Sequence, residues 1–261
     1  MTRSSSLESA AGPAAGDFSG TFTFLHGMNN DAAVWSPVIR SLGGLVEHSF
    51  APDLPAQSSV EDIADIVAES ARPGVLVGHS FGGAVAMAVL ERNPHLVTHL
   101  VLVASSLGAD TPEQAHARRE KAARFDTESD YIDFAVELMP KVYHPSHAAD
   151  TALREARRQS VRAYGLQRYR AHSYAIGNRP DRTAVVRDAD KPILVVAPES
   201  DSVILPEQQE RFARDVGADF QTVAGAGHML PAEQPTDLAS VIADWLGQRQ
   251  AAAHTRGTNS H

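Results

Sequence analysis

The chain predicts an α/β fold, a mostly parallel β-sheet covered by helices on both faces. Three observations lead there. Short runs rich in β-branched and aromatic residues alternate with stretches whose apolar residues recur at helical spacing. The helical stretches between them are amphipathic, each with one apolar side to lay against a sheet. Alternation of this kind joins parallel strands through helices that pack back onto the sheet.

Five runs read as strands: TFTFLHG (residues 21–27), VEHSFAPDL (46–54), GVLVGHS (74–80), HLVLVAS (99–105) and KPILVVAPES (191–200). A sixth, DFQTVAGAGH (219–228), is weaker. In DAAVWSPVIRSLGG (31–44), Trp35, Val38, Ile39 and Leu42 share one helical face, and Gly43 ends the run. SSVEDIADIVAESA (58–71) offers Ser58 and Glu61 as a capping box, followed by Val60, Ile63 and Val67 on one side. FGGAVAMAVLERN (81–93) stops at Pro94, and the helices EQQERFARDVG and TDLASVIADWLG end on Gly217 and Gly247. Residues 108–186 break the alternation, with helical periodicity but no convincing strand, and predict a helical insertion between the fourth and fifth strands. The expected organisation is a core of residues 19–107 and 187–248 around that insertion, with a disordered leader (1–18) and tail (249–261).

With 261 residues, 43% of them hydrophobic, the chain is long enough to bury a large core. A formal charge of -9 argues against nucleic acid or an anionic membrane as the main partner. The basic stretches ARREKAAR and LREARRQSVR interleave charge with alanine and leucine, and read as solvated helix faces. The absence of cysteine excludes disulfides, thiol catalysis and Cys-ligated metal sites. No apolar run reaches membrane-spanning length, and the first residues lack the apolar centre of a secretory signal, so cytoplasm is the expected compartment.

One stretch demands chemistry. In VLVGHSFGGA a strand runs into a serine flanked by glycines, and a helix starts immediately behind it. Glycine weakens a strand and offers nothing to pack, so it marks a place where backbones must approach. This is the G-x-S-x-G turn between strand and helix: Ser80 at the apex, with Gly78 and Gly82 lacking a Cβ so that the two elements can close. The helix N-terminus behind it supplies amide donors and favours negative charge.

A serine hydroxyl needs a base, and the base needs an orienting group. Downstream, Asp201 follows the strand end ILVVAPES, and His228 follows the weaker one in VAGAG. Both leave the carboxyl ends of strands, the edge where open α/β sheets bind ligands. Glu199 is the nearest rival for the acid, and Asp110 a poorer one. An oxyanion would take one donor from the Phe81 amide and a second from the loop after the first strand. There His26 and Gly27 form a tight turn, Met28 offers the amide, and Asn29 is assigned to capping the next helix.

With LHGMNNDAAVW, VLVGHSFGGAVAM, PILVVAPESD and GAGHMLPAEQP in this order, residues 21–247 resemble the α/β-hydrolase superfamily in its small form with a helical lid. The resemblance implies esterases, thioesterases, C–C-bond hydrolases, haloperoxidases, some lyases and non-catalytic receptors. Its epoxide hydrolases and dehalogenases place an aspartate where Ser80 stands, so acyl transfer is favoured. VLVGHSFGG also resembles the hydroxynitrile lyase and methylesterase branch of plants. Two departures concern the rim: no G-x-G follows DLP, and Pro198 stands where a glycine usually precedes the acid. The antiparallel strands that usually precede the first motif are missing or very short.

The expectation is a serine hydrolase cleaving an ester, thioester or C–C bond of a small apolar acyl substrate, with no cofactor or metal. A cofactor-free lyase or haloperoxidase-like enzyme using His228 as base, or a ligand receptor, are the alternatives. Phe134, Leu138, Met139, Tyr164 and Tyr174 line either the acyl pocket or the insertion's own core. Charge on the insertion offers no evident anchor for a carboxylate or phosphate. His144 and His147 read as loop histidines rather than a metal site, and His79 as structural. The oligomeric state is left open.

Overall fold

A computed structural model describes residues 19–105, 108–147 and 149–258. In chain order its elements are β1 (Gly20–Leu25), α1 (Ser36–Leu42), β2 (Val46–Phe50), α2 (Val60–Ser70), β3 (Gly74–His79), α3 (Phe81–Arg92) and β4 (Val97–Val103). Helices α4 (Pro112–Ala123), α5 (Glu128–Glu137), α6 (Met139–Val142), α7 (Thr151–Tyr164), α8 (Leu166–Asn178) and α9 (Thr183–Asp188) follow. The chain then returns through β5 (Ile193–Pro198), α10 (Pro206–Val216), β6 (Asp219–Val223), α11 (Leu230–Glu233) and α12 (Pro235–Thr258).

The strands form one six-stranded sheet in the order β2-β1-β3-β4-β5-β6, and every neighbouring pair is parallel. No antiparallel strand precedes β1 among the described residues; the expected leader lies outside them. The order reverses between β1 and β3, so the loops leaving these strands flank a crevice at the carboxyl edge.

Alternation at period two divides the strand residues between two cores. Phe22, Phe24, Val75, Val77, Val101 and Val103 pack on one face with Trp35 and Val38 and with Leu238, Ile242 and Leu246 of α12. Leu76, Leu100, Leu102, Ile193 and Val195 pack on the other with α2, α3 and α10. Helices α4–α9 carry a third cluster around Tyr131, Met139, Val161 and Tyr164. They are not detached from the sheet, because Ala175 and Ile176 of α8 belong to the α3 core.

Three local expectations are corrected. The cap of α2 is Ser59, whose hydroxyl accepts from the Asp62 amide at 3.2 Å; Ser58 stands one residue too early, and Glu61 turns to Arg182 instead. Asp31, not Asn29, caps the turn at Ala32–Trp35, accepting from the Ala33 amide at 2.9 Å. The last helix passes through Gly247 to Thr258, across most of the expected tail. One glycine costs a helix only about 1 kcal/mol, and the QRQAAA that follows is strongly helix-forming. Trp245 and Arg249, on either side of Gly247, both bind the Asp219 carboxylate at the start of β6.

Arg182 ties three helices together. Its guanidinium is 3% exposed and pairs with Glu61 of α2 and Glu91 of α3, just before α9 begins. Both carboxylates are partly solvated, so Arg182→Gln should cost about 1–3 kcal/mol, read as a lower urea midpoint with an unchanged m-value. An unchanged midpoint would show that the pairs contribute nothing.

Candidate active site

The Ser80 turn follows from the packing of three backbones. Ser80 adopts φ 52 and ψ -114, a region that L residues avoid. It is held there by its amide bonding Val103 O at 2.9 Å and its carbonyl accepting from Gly83 N at 2.9 Å. A Cβ on Gly78 would lie 2.5 Å from Gly82 O, and one on Gly82 would lie 2.1 Å from Leu25 O. Only glycines let β3, α3 and the end of β1 meet here. The Phe81 amide, first of α3, has no intrahelical acceptor.

Asp201 and His228 arrive from the ends of β5 and β6. His228 Nε2 lies 2.9 Å from Ser80 Oγ, and its Nδ1 lies 2.9 Å from Asp201 Oδ2 and 3.1 Å from Oδ1. The Asp201 carboxyl is fully buried and is also bonded by the Val203 and Ile204 amides, at 2.8 and 2.9 Å, and by Gln209 Nε2 at 3.2 Å. With Asp201 as the acceptor, His228 carries its proton on Nδ1, and Nε2 turns its lone pair to the serine. Glu199 is exposed, and Asp110 pairs with Arg118 and Arg179, so neither rival reaches the imidazole.

The loop after β1 is fixed by a neutral histidine. His26 Nε2 accepts from the Leu54 amide at 3.0 Å, so Nδ1 holds the proton and donates to Gly27 O at 2.8 Å. Burial lowers the His26 pKa to about 4. A Cβ on Gly27 would lie 2.8 Å from His79 Nδ1 and 3.2 Å from Ser80 Cβ, so this turn packs against the serine, and Met28 borders both cavities that Ser80 borders. Asn29 takes a left-handed conformation, φ 61, and its Oδ1 accepts from Tyr131 OH at 2.6 Å. His79 is buried and donates from Nε2 to His228 O at 2.8 Å, with a pKa lowered to about 3 by burial and by His228. His172 of α8 donates to Pro55 O at 2.7 Å and accepts from Tyr164 OH at 2.5 Å, and burial lowers it likewise to about 3.

Two cavities meet at Ser80. One, of about 330 Å³, is bordered by His228, Leu138, Val142, Tyr169 and Met229. The other, of about 510 Å³, runs over Phe81 and Met28 toward Asp110, Arg179 and Arg211. Of the five pocket residues expected from the sequence, Leu138 borders the first cavity. Met139 and Tyr164 are buried in the core of the helical segment, and Phe134 packs beside that core with Lys121 Nζ 5.5 Å from its ring. Tyr174 is 49% exposed under Arg119. A helix turns about 100° per residue, so a run of apolar residues divides between a core and a cavity.

Sequence reasoning missed two positions at the site. Glu233, buried, accepts from Gly227 N at 2.9 Å, His144 N at 2.6 Å and His147 Nδ1 at 3.0 Å, and so anchors the His228 loop. It also explains the paired histidines; among the described residues no group of three or more His, Cys, Asp or Glu is arranged to hold a metal. Arg157, read as part of a solvated face, is 4% exposed and borders the cavity beside Ser80. The signal was present: with Val161 and Tyr164 it forms the buried i, i+4, i+7 stripe of α7.

A sequence model of the Alpha/beta hydrolase family matches residues 24–241. The chain belongs to the alpha/beta hydrolase family. Among its relatives is the esterase PIR7B of Oryza sativa subsp. japonica, 26% identical over 85% of this chain and 93% of that one. A thermophilic esterase from Thermogutta terrifontis superposes with a TM-score of 0.79 at 25% identity, covering 88% of this chain and 91% of that one. The enol-lactonase from Burkholderia xenovorans shares the fold, with a TM-score of 0.74 at 17% identity over 87% of this chain and 91% of its own. With esterases and hydrolases as relatives, this alpha/beta hydrolase is a hydrolytic enzyme. None of its described helices is long and apolar enough to cross a membrane.

Two outcomes follow for stability. Gly82→Ala drives a methyl into Leu25 O and should abolish soluble, folded protein, checked by circular dichroism of the purified variant; a normally folded variant would contradict the close approach. His26, His79 and His172 are neutral in the fold but titrate near their ordinary value of about 6.5 when unfolded. Stability from their burial is complete above that pH and falls as pH drops toward about 4 and about 3. Urea midpoints should therefore decline from about pH 7 to pH 5, less steeply in His172→Gln; a flat profile would contradict neutral burial.

Proposed function

We propose that this hydrolase cleaves a small carboxylic ester through an acyl-enzyme on Ser80. The observation that carries this reading is the unbroken chain from Asp201 through His228 to Ser80 Oγ, with the serine at the N-terminus of α3. His228 Nε2 takes the hydroxyl proton as Oγ attacks the acyl carbon, then returns it to the leaving alcohol. Asp201 keeps the imidazole in the tautomer that makes this possible. The Phe81 and Met28 amides receive the oxyanion, and water then deacylates the serine through the same base. Helices α4–α9 act as the lid, closing the cavities over Ser80 and setting which substrate fits.

Mass spectrometry of the intact protein after a fluorophosphonate probe should show one adduct, on Ser80. Turnover of short 4-nitrophenyl esters should fall about a thousandfold or more in Ser80→Ala, and about 10⁴-fold in Asp201→Asn, which keeps the shape but inverts the tautomer. Absence of both adduct and turnover in the wild type would refute the reading. Turnover surviving in Ser80→Ala would point instead to His228 acting as a general base that activates water directly, with no acyl-enzyme.

A further inference from the structure

The triad has no use for Arg157, yet this side chain borders the cleft beside it. It projects from α7, is 4% exposed and borders the cavity of about 330 Å³ next to Ser80 and His228. Its Nη1 donates to Asn29 O at 2.8 Å and Asn30 Oδ1 at 3.3 Å, both neutral acceptors. Nε is sealed from solvent without an acceptor, and the guanidinium forms no ion pair among the described residues. A buried cation without a counter-charge is strongly unfavourable, unless an anion visits it.

The rest of the cavity wall agrees. Arg118 and Lys121 of α4 also border it, and among the described residues no aspartate or glutamate does. Arg118 shares the Asp110 carboxylate with Arg179, and Lys121 lies over the Phe134 ring. What remains is a small apolar chamber with one uncompensated guanidinium inside and a lysine at its rim. Nη2 makes no hydrogen bond and, unlike Nε, is not sealed from solvent, so it is the nitrogen left to donate to a carboxylate in the cavity.

We propose that this chamber is an anion-binding subsite anchored by Arg157, and that the substrate is a small ester bearing a free carboxylate. The ester half of the inference rests on the Ser80 chemistry proposed above; the anion site does not. The same guanidinium also braces the Asn29 carbonyl, so Arg157 both anchors the anion and steadies the loop that carries the Met28 amide. Loss of the brace lowers turnover of every ester alike, whereas loss of the anchor lowers turnover of the charged one selectively. The ratio of the two therefore separates the roles.

The test compares kcat/KM for ethyl hydrogen glutarate and for acetoxypropionate, which carry the carboxylate in the acyl and alcohol halves, with their neutral carboxamide counterparts. One charged ester should be preferred by about tenfold to a hundredfold, the range of a charge-assisted hydrogen bond. That preference should collapse in Arg157→Gln and survive in part in Arg157→Lys. Calorimetric titration of Ser80→Ala with glutarate and with glutaramide supplies a readout that needs no turnover. Binding of glutarate alone, lost when Arg157→Gln is added, supports the subsite even if no ester is cleaved, in which case the Ser80 reading fails by itself. Equal turnover of charged and neutral esters by the wild type, or failure of glutarate to bind, overturns the subsite whether or not the Arg157 variants fold.

Discussion

Everything at the carboxyl edge of the sheet depends on the left-handed turn at Ser80. It directly follows β3, an interior strand, so the backbone cannot relax outward: Val103 O holds the serine amide from β4, and the end of β1 presses on Gly82 from the other side. That confinement is what keeps a φ of 52 at a residue with a Cβ. The strain has a geometric return. It lifts Oγ off the sheet while placing the serine directly ahead of the first amides of α3, and it brings the Gly27 turn within contact of the serine Cβ.

Around this turn, polar groups are held in single protonation states by burial and by their partners. His26 must be neutral, because Leu54 N–H occupies its Nε2 lone pair. His79 and His172 are likewise kept neutral by burial. Asp201 receives bonds from two amides and from Gln209 in addition to His228, so its carboxylate has little freedom to rotate. Glu233 performs the same service for the loop that carries His228. The distances from Asp201 through His228 to Ser80 are therefore set by groups that do not themselves touch the serine.

The helices between β4 and β5 touch each of the three loops that build the site. Tyr131 and Arg157 hold the loop after β1 at Asn29. The Lys141 carbonyl accepts from Ser202, beside Asp201, and the Val142 carbonyl accepts from the Met229 amide, beside His228. These helices thus brace the loops that hold Asn29, Asp201 and His228.

Much of this was legible in the chain. Strands, crossovers and the serine turn are local events: period-two apolar runs, helical stripes and glycines at fixed offsets reveal them without knowledge of the partner. Asp201 and His228 were readable because strand ends in a parallel sheet share one edge. The sequence misled where two local signals competed, as at Ser58 and Ser59, or where long-range anchors overrode a local stop, as when Trp245 and Arg249 carry the last helix through Gly247 to Asp219. Which residues face the cavity was decided only by tertiary structure. Tyr164 and Met139 went to the core, Tyr174 to solvent and Arg157 to the interior. Chain periodicity states that a helix has a buried face; only the packing of α7 against the loop after β1 determines that Arg157 on this face borders the cavity beside Ser80.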